Sequence, residues 1–428
     1  MDRGDQDVPT FPTTPSLPAF GPVQQSERIE TLDILRGFAL FAILVVNWTA
    51  DSPGPRGLAS AADWIAYWPI QFLLQEKAWP VFAFLFGLGF AIQMQRAEAR
   101  GSHFVSVYAK RLLVLFLIGA AHFVLAERDI VHRYAICGLL LLPVRRLHPK
   151  LLVVLALLCV LVAWTNRSQI YFRSASPQTA QELAEVTGRA AANRARAAER
   201  NRAYASGTFG QVVSVRARDL GAELSSWNRF NWLGDPFAPF LLGLYAGRRR
   251  VFQEVAKHRE FLRTVMWWTL GFGLAGNTVF WGLEFVYDLG GGITGRPEQL
   301  VRLVERLSSP TMGLAYIAAL TLLLERGAWK ERLAPIASVG RMCLTNYLLQ
   351  SLVWVLLFNK YGLGWLGQVN LFNRAMLSIL VFVVHIVTSQ WWMRRFRFGP
   401  VEWLWRSLTY GRFQPMLVQK ILVAPTEP

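Results

Sequence analysis

The sequence predicts an all-α integral membrane protein, a polytopic bundle of about ten transmembrane helices. Three observations predict it. The chain of 428 residues is 53% hydrophobic and holds 28 Phe and 17 Trp. Its apolar runs are long and nearly free of charge. Its 45 Lys and Arg outnumber 28 Asp and Glu and collect between those runs. A net charge of +17 can indicate nucleic-acid binding. Here the cations are dispersed among loops rather than gathered on one compact face, which excludes that class. Cys137, Cys159 and Cys343 sit in apolar runs with no CxxC pair. They read as small core residues, neither a disulfide framework nor metal ligands.

Residues 1–27 are rich in Pro, Thr, Ser and Gln and are expected to form a disordered tail without a signal-peptide pattern. A first membrane half, 28–165, carries apolar runs at 32–49, 79–95, 112–127, 134–144 and 150–165. An insertion follows at 166–235. Its Ala, Glu and Arg content favours helix, and it serves as a spacer or a substrate lid. A second membrane half, 236–398, has runs at 236–247, 262–286, 310–325, 340–358 and 374–393. Residues 399–428 close the chain as a C-terminal segment.

Charge orients these runs. Arg96, Arg100, Lys110 and Arg111 follow the second, and Arg145, Arg146 and Lys150 follow the fourth. Arg248–Arg250 follow the sixth, Arg326 to Arg332 the eighth, and Arg394, Arg395 and Arg397 the tenth. The positive-inside rule then puts both termini and the 399–428 segment in the cytoplasm, and the insertion outside.

The first span carries polar residues on one face. Asp33, Arg36 and Asn47 fall within a sector of roughly 60°, with Asn47 about 21 Å from Asp33 along the axis. Ionisable groups facing lipid cost at least about 2.5 kcal/mol each, so this face looks into a bundle or cavity. Asp33 and Arg36 are spaced to pair at i, i+3. They form either a structural ion pair or an anion site in which Asp33 orients Arg36. Arg341, at the cytoplasmic end of the ninth span, is a further cation for such a ligand.

His122 lies near the outer end of the third span, with Asp129 seven residues on. A His beside a carboxylate makes a workable general base; the alternative is an interfacial His bonded to a backbone carbonyl. Glu284 is a second outer-side carboxylate, either another base or an interfacial residue. Asn346 and Gln350, one turn apart, read as contacts between helices, worth about 0.6 kcal/mol each. His385 is ionisable at mid-span and so is a functional candidate. Gly271, Gly273 and Gly276 match a dinucleotide fingerprint, but no strand precedes them and the run is apolar. They read as small residues for helix packing, as do Gly87 and Gly89.

Several blocks resemble one family in order. Arg28–Gly37 (R-x-x-x-L-D-x-x-R-G), closing with Val45–Asn47, resembles the start of the YeiB family, bacterial membrane proteins known mainly as a domain of unknown function. Residues 81–97, 119–146, 340–351 and 398–415 resemble its later signatures. The family is similar to membrane acyltransferases such as heparan-alpha-glucosaminide N-acetyltransferase. The resemblance implies transfer from cytosolic acyl-CoA to a sugar, lipid or small-molecule acceptor across a bacterial inner membrane. Their first helix shares the pattern of Asp33, Arg36, Gly37 and Asn47. Their catalytic His follows that Asn directly, and this chain has none between Asn47 and the second span. Either His122 supplies the base or the fold persists without the chemistry.

On the first option Arg36, Asp33 and Arg341 hold acyl-CoA, His122 deprotonates the acceptor with Asp129 orienting it, and Asn47 donates to the oxyanion. The alternative function is a small-molecule transporter or exporter using the same polar stripe. Against it stand the lack of an inverted repeat and of matched broken helices. A scaffolding subunit is a third reading. Partners are then the bilayer, donor and acceptor, with no nucleic acid; homo-oligomerisation is left open.

Overall fold

The computed structural model describes residues 28–50, 57–99, 104–126, 129–175, 179–225, 234–290 and 296–418. The expected N-terminal tail, 1–27, lies outside them. The described chain is an all-α membrane bundle. Its helices are α1 (Glu30–Thr49), α2 (Ala61–Pro69), α3 (Ala78–Ala99), α4 (Phe104–Ala126), α5 (Val131–Val144), α6 (Pro149–Ala175), α7 (Ala180–Ser206) and α8 (Phe209–Ser225). They continue with α9 (Gly234–Arg248), α10 (Arg259–Gly290), α11 (Arg296–Leu324), α12 (Gly327–Arg341), α13 (Cys343–Phe358), α14 (Leu371–Arg395) and α15 (Pro400–Tyr410).

Among the described residues each apolar run named above lies largely on helix, the 340–358 run being broken at Met342. Among the described residues, five stretches are long and apolar enough to cross a bilayer. α12 and α13 make a sixth if their 74° bend is taken as a break within one span. α5 is apolar but short. α6 continues to Ala175, beyond the run that ends at 165.

The side-chain pattern differs from that of a water-soluble bundle in that large apolar side chains are exposed on the outer faces as well as buried. On α14 the buried face carries Arg374, Ser378, His385 and Ser389, while Leu380, Val383 and Val387 are exposed. On α4, Tyr108, Leu112, Leu115, Gly119 and His122 face inward at helical spacing, with Leu113 and Leu117 outward. Aliphatic side chains face outward because lipid tails are as apolar as they are, and polar groups turn in to find partners.

α1 is the central helix, packed against α3, α12, α13 and α14. Glycine permits its closest approach: a β-carbon at Gly37 would overlap Ile336 of α12, and one at Gly340 would overlap the Asp33 carbonyl. α3 and α9 pack through Gly87 against Phe240 and Gly243 against Phe84. Gly273 and Gly276 bring α10 onto Met312 and Ser308 of α11. Gly89 differs from this packing role. The nearest atom to a β-carbon there is the Arg36 guanidinium at 3.8 Å, so Gly89 leaves space rather than filling it.

The C-terminal helix is bolted to the bend at Met342. Glu402 of α15 accepts the Leu344 and Thr345 amides at 2.6 and 3.1 Å and the Thr345 hydroxyl at 2.5 Å. These are orphan N–H groups of the first turn of α13, so Glu402 acts as its N-terminal cap from another helix. Trp405 donates to the Arg111 carbonyl at 2.8 Å, and the Arg111 guanidinium stacks on its ring at 3.8 Å. α15 thereby closes one end of the bundle beneath α4 and α13.

Candidate active site

A cavity of about 300 Å³ opens inside the bundle between α1, α3, α4, α13 and α15. One part is basic. Arg28, Arg36, Arg96, Arg111, Arg341 and Arg406 all line it. Of the two carboxylates there, Asp33 is engaged by Arg36 at 2.8 Å and Arg28 at 3.0 Å. Glu402 is consumed by the cap on α13. Arg341 and Arg406 each bury an Nε without a hydrogen-bonding partner among the described residues. Burial, and then the like charge of Arg111, act against the charged form of Arg406. A guanidinium does not give up its proton in response; it favours an anion. Most of the rest of the wall is apolar, from Ile43, Phe82, Phe86, Leu115, Ile130 and Val131 to the rings of Tyr134 and Tyr347.

Tyr347 connects this cavity to a second polar group. Its hydroxyl accepts the Ile130 amide at 3.3 Å, and its ring lies 5.2 Å from that of His122. His122 is buried, and its Nδ1 meets Asp129 Oδ1 at 2.8 Å. Asp129 Oδ2 accepts the His132 amide at 2.8 Å and faces His132 Nδ1 at 2.7 Å. His132 Nε2 in turn lies 3.3 Å from Glu223 Oε1, and Arg133 grips Glu223 with two bonds of 2.8 and 3.0 Å. Five side chains from α4, the α4–α5 connection, α5 and α8 thus form one array.

Burial by itself would raise the Asp129 carboxyl. The hydrogen bonds from His122 and His132 outweigh it and hold Asp129 below the ordinary carboxylate range. Burial also opposes the charge of Glu223, yet His132 and Arg133 pull it down to about 2. Both are therefore carboxylates that accept only. Among the described residues no His, Cys, Asp or Glu grouping has a metal-holding arrangement.

The arginines and the His122 array stand at opposite ends of α4. Arg111 and Leu125, whose carbonyl accepts from the fully buried Arg216 of α8, are separated by about 21 Å of helix. Arg216 also lies over the Tyr204 ring at 5.0 Å, so the paired helices α7 and α8 cap that end of α4.

The structure brings together His122 with Asp129, and Asp33 with Arg36 and Arg341. Asn47 is half-buried near the end of α1 and is not among the cavity-lining residues. Asn346 donates to Ser389 Oγ at 2.9 Å and to the Val339 carbonyl at 3.2 Å, joining α13 to α14 and to α12. Gln350 and His385 are buried, with Gln350 Nε2 and His385 Nδ1 unpartnered among the described residues. Neither lines the cavity, nor does the half-buried Glu284. The sequence does not single out His132, Glu223, Tyr347 or Arg406, and it marks Arg111 only as a cation that orients the spans. Only His132 left a local signal, three residues after Asp129, where a helical turn brings i and i+3 together.

The fold and the site define the class as an all-α membrane protein with an internal basic cavity beside a buried His–Asp pair. Residues 28–179 match the family described as heparan-alpha-glucosaminide N-acetyltransferase, catalytic, and residues 246–412 match the protein of unknown function family DUF418. The chain is 32% identical to the YxaH protein of Bacillus subtilis over 92% of its own length and 97% of that protein. It is 28% identical to the YeiB protein of Escherichia coli K12 over 91% of its length and 98% of that protein. The chain belongs to the YeiB family, which is related to the heparan-alpha-glucosaminide N-acetyltransferase type of acyltransferase.

Proposed function

We propose that this protein moves an acyl group from a cytosolic acyl-CoA to a hydroxyl or amine acceptor on the other side of the bacterial inner membrane. The carrying observation is a cavity lined by six arginines and by Tyr347, whose ring lies 5.2 Å from that of His122; His122 itself does not line it. Charge bias argues for the arginine end, with both termini, facing the cytoplasm, where acyl-CoA is found. Arg36, Arg341 and Arg406 hold the donor's phosphates, and Asp33 keeps Arg36 in place through their 2.8 Å pair. The apolar wall takes the pantetheine arm and acyl group.

His122 carries the proton chemistry. Its Nδ1 proton is held by Asp129, which leaves Nε2 to accept the proton of the acceptor hydroxyl or amine. The freed oxygen or nitrogen attacks the thioester carbonyl, the carbon–sulfur bond breaks, and the proton passes to the departing CoA thiolate. Atoms balance as acceptor–OH plus acyl-thioester giving ester plus thiol. Asn47 remains the proposed oxyanion donor, a role that requires it to face the reacting carbonyl once donor is bound.

The test is binding of acetyl-CoA to the purified protein, followed by transfer of labelled acetyl to a panel of amino sugars and hydroxylated lipids. Expected are saturable binding weakened by Arg36→Ala and Arg406→Ala, and transfer lost in a folded His122→Ala. Absence of binding for acetyl-CoA and for longer acyl-CoAs overturns the proposal, as does normal transfer by His122→Ala.

A further inference from the structure

The array behind His122 holds more carboxylate than one histidine needs. His132 is completely buried, and each of its ring nitrogens faces a carboxylate oxygen: Nδ1 to Asp129 at 2.7 Å and Nε2 to Glu223 at 3.3 Å. An ionised carboxylate only accepts, and a neutral imidazole has one N–H and one lone pair. Both nitrogens of His132 therefore carry protons, and the ring is an imidazolium between two anions. With Arg133 on the far side of Glu223, the charges of Asp129, His132, Glu223 and Arg133 sum to zero. Among the described residues, two rings also pack on this array: Phe123, 5.5 Å from His132, and Tyr347 beside His122.

That balance matters for His122. If His132 were neutral, Asp129 would be a buried anion whose remaining counter-ion could only be a charged His122. A charged His122 has no lone pair and is no base. With His132 positive, Asp129 is already compensated and His122 stays neutral, its one proton on Nδ1 facing Asp129 Oδ1. Its buried Nε2 is left without a hydrogen-bonding partner among the described residues. Gly119 makes room for this arrangement, since a β-carbon there would overlap the His132 amide and lie 2.9 Å from Asp129 Oδ2.

We propose that His132 and Glu223 are positioning residues that fix the neutral, Nδ1-protonated form of His122. Glu223 lies on α8, so the insertion between the two membrane halves is part of the site rather than a spacer. The inference rests on the reading of His122 as the base, and its test needs neither donor nor acceptor.

The experiment is nitrogen NMR of the full chain in detergent with 15N-labelled histidine, the signals assigned by His122→Gln and His132→Gln. Expected at about pH 7.5 is a neutral His122 protonated at Nδ1 and a His132 protonated at both nitrogens. Glu223→Gln should discharge His132 and change the nitrogen signals of His122. A wild-type His122 protonated at Nε2, or a neutral wild-type His132, overturns the inference without any variant having to fold. So does a Glu223→Gln spectrum identical to wild type. Loss of acyl transfer as the function, with these spectra intact, would leave the proton arrangement standing and remove only its use.

Discussion

Gly119 and His132 touch across the α4–α5 interface so closely that a β-carbon on Gly119 would collide with the His132 backbone nitrogen. The same missing atom keeps a clear space beside Asp129 Oδ2. Gly119→Ala should therefore push α5 away from α4 and break the His132–Asp129 bond. Overpacking of this kind costs about 1–3 kcal/mol. Thermal unfolding in detergent should show the loss, and His122 should lose its defined tautomer. An alanine variant of unchanged stability and spectrum would mean that the two helices slide freely there.

Arg406 and Arg111 both line the basic part of the cavity, and the Arg406 Nε has no hydrogen-bonding partner among the described residues. Arg406→Ala should weaken acetyl-CoA binding about tenfold, which is about 1.4 kcal/mol. Arg406→Lys should recover part of it, since the charge returns but the planar fork does not. Titration calorimetry at two ionic strengths checks both, because contacts with exposed phosphates weaken as salt rises.

Glu223 has its folded-state pKa lowered from 4.5 to about 2. A depressed carboxylate contributes stability that is fully present above the unfolded value and lost as pH falls through the folded one. The attachment of α8 should therefore weaken as pH drops from about 4.5 toward 2. Hydrogen exchange along 209–225 across that window reads it, and Glu223→Gln should flatten the dependence.

Asn346 spans the bend at Met342 through bonds to Val339 and Ser389. Asn346→Leu should cost about 1 kcal/mol of stability, in the range of polar contacts inside membranes. Acetyl-CoA affinity should not change, because Asn346 is not among the cavity-lining residues. A loss of affinity equal to that of Arg406→Ala would place the bend itself in donor binding.

What was legible in the sequence was local. Asp33 and Arg36 pair because a helix brings i and i+3 together, and spacing alone shows it. His122 and Asp129 were also readable as a pair, although the chain leaves helix before Asp129 and the contact is made from a connection. Gly89 shows the limit of such reading. It shares a motif with Gly87, yet one packs on Phe240 while the other borders the cavity. The two lie on different faces of α3, and only the neighbours decide which face is covered.

The sequence by itself determined the class of protein: apolar runs, several of them long enough to span a bilayer, cations set between them, and the order of blocks that marks the family. Those properties follow from the cost of exposing backbone and charge to lipid, which acts on each segment separately. Only the tertiary structure decided the site. Glu223 reaches His132 across 91 residues, and Trp405 reaches Arg111 across 294. Such partners have no period and no spacing, because they are chosen by which helices pack together and by the need of each buried charge for a counter-charge within hydrogen-bonding distance.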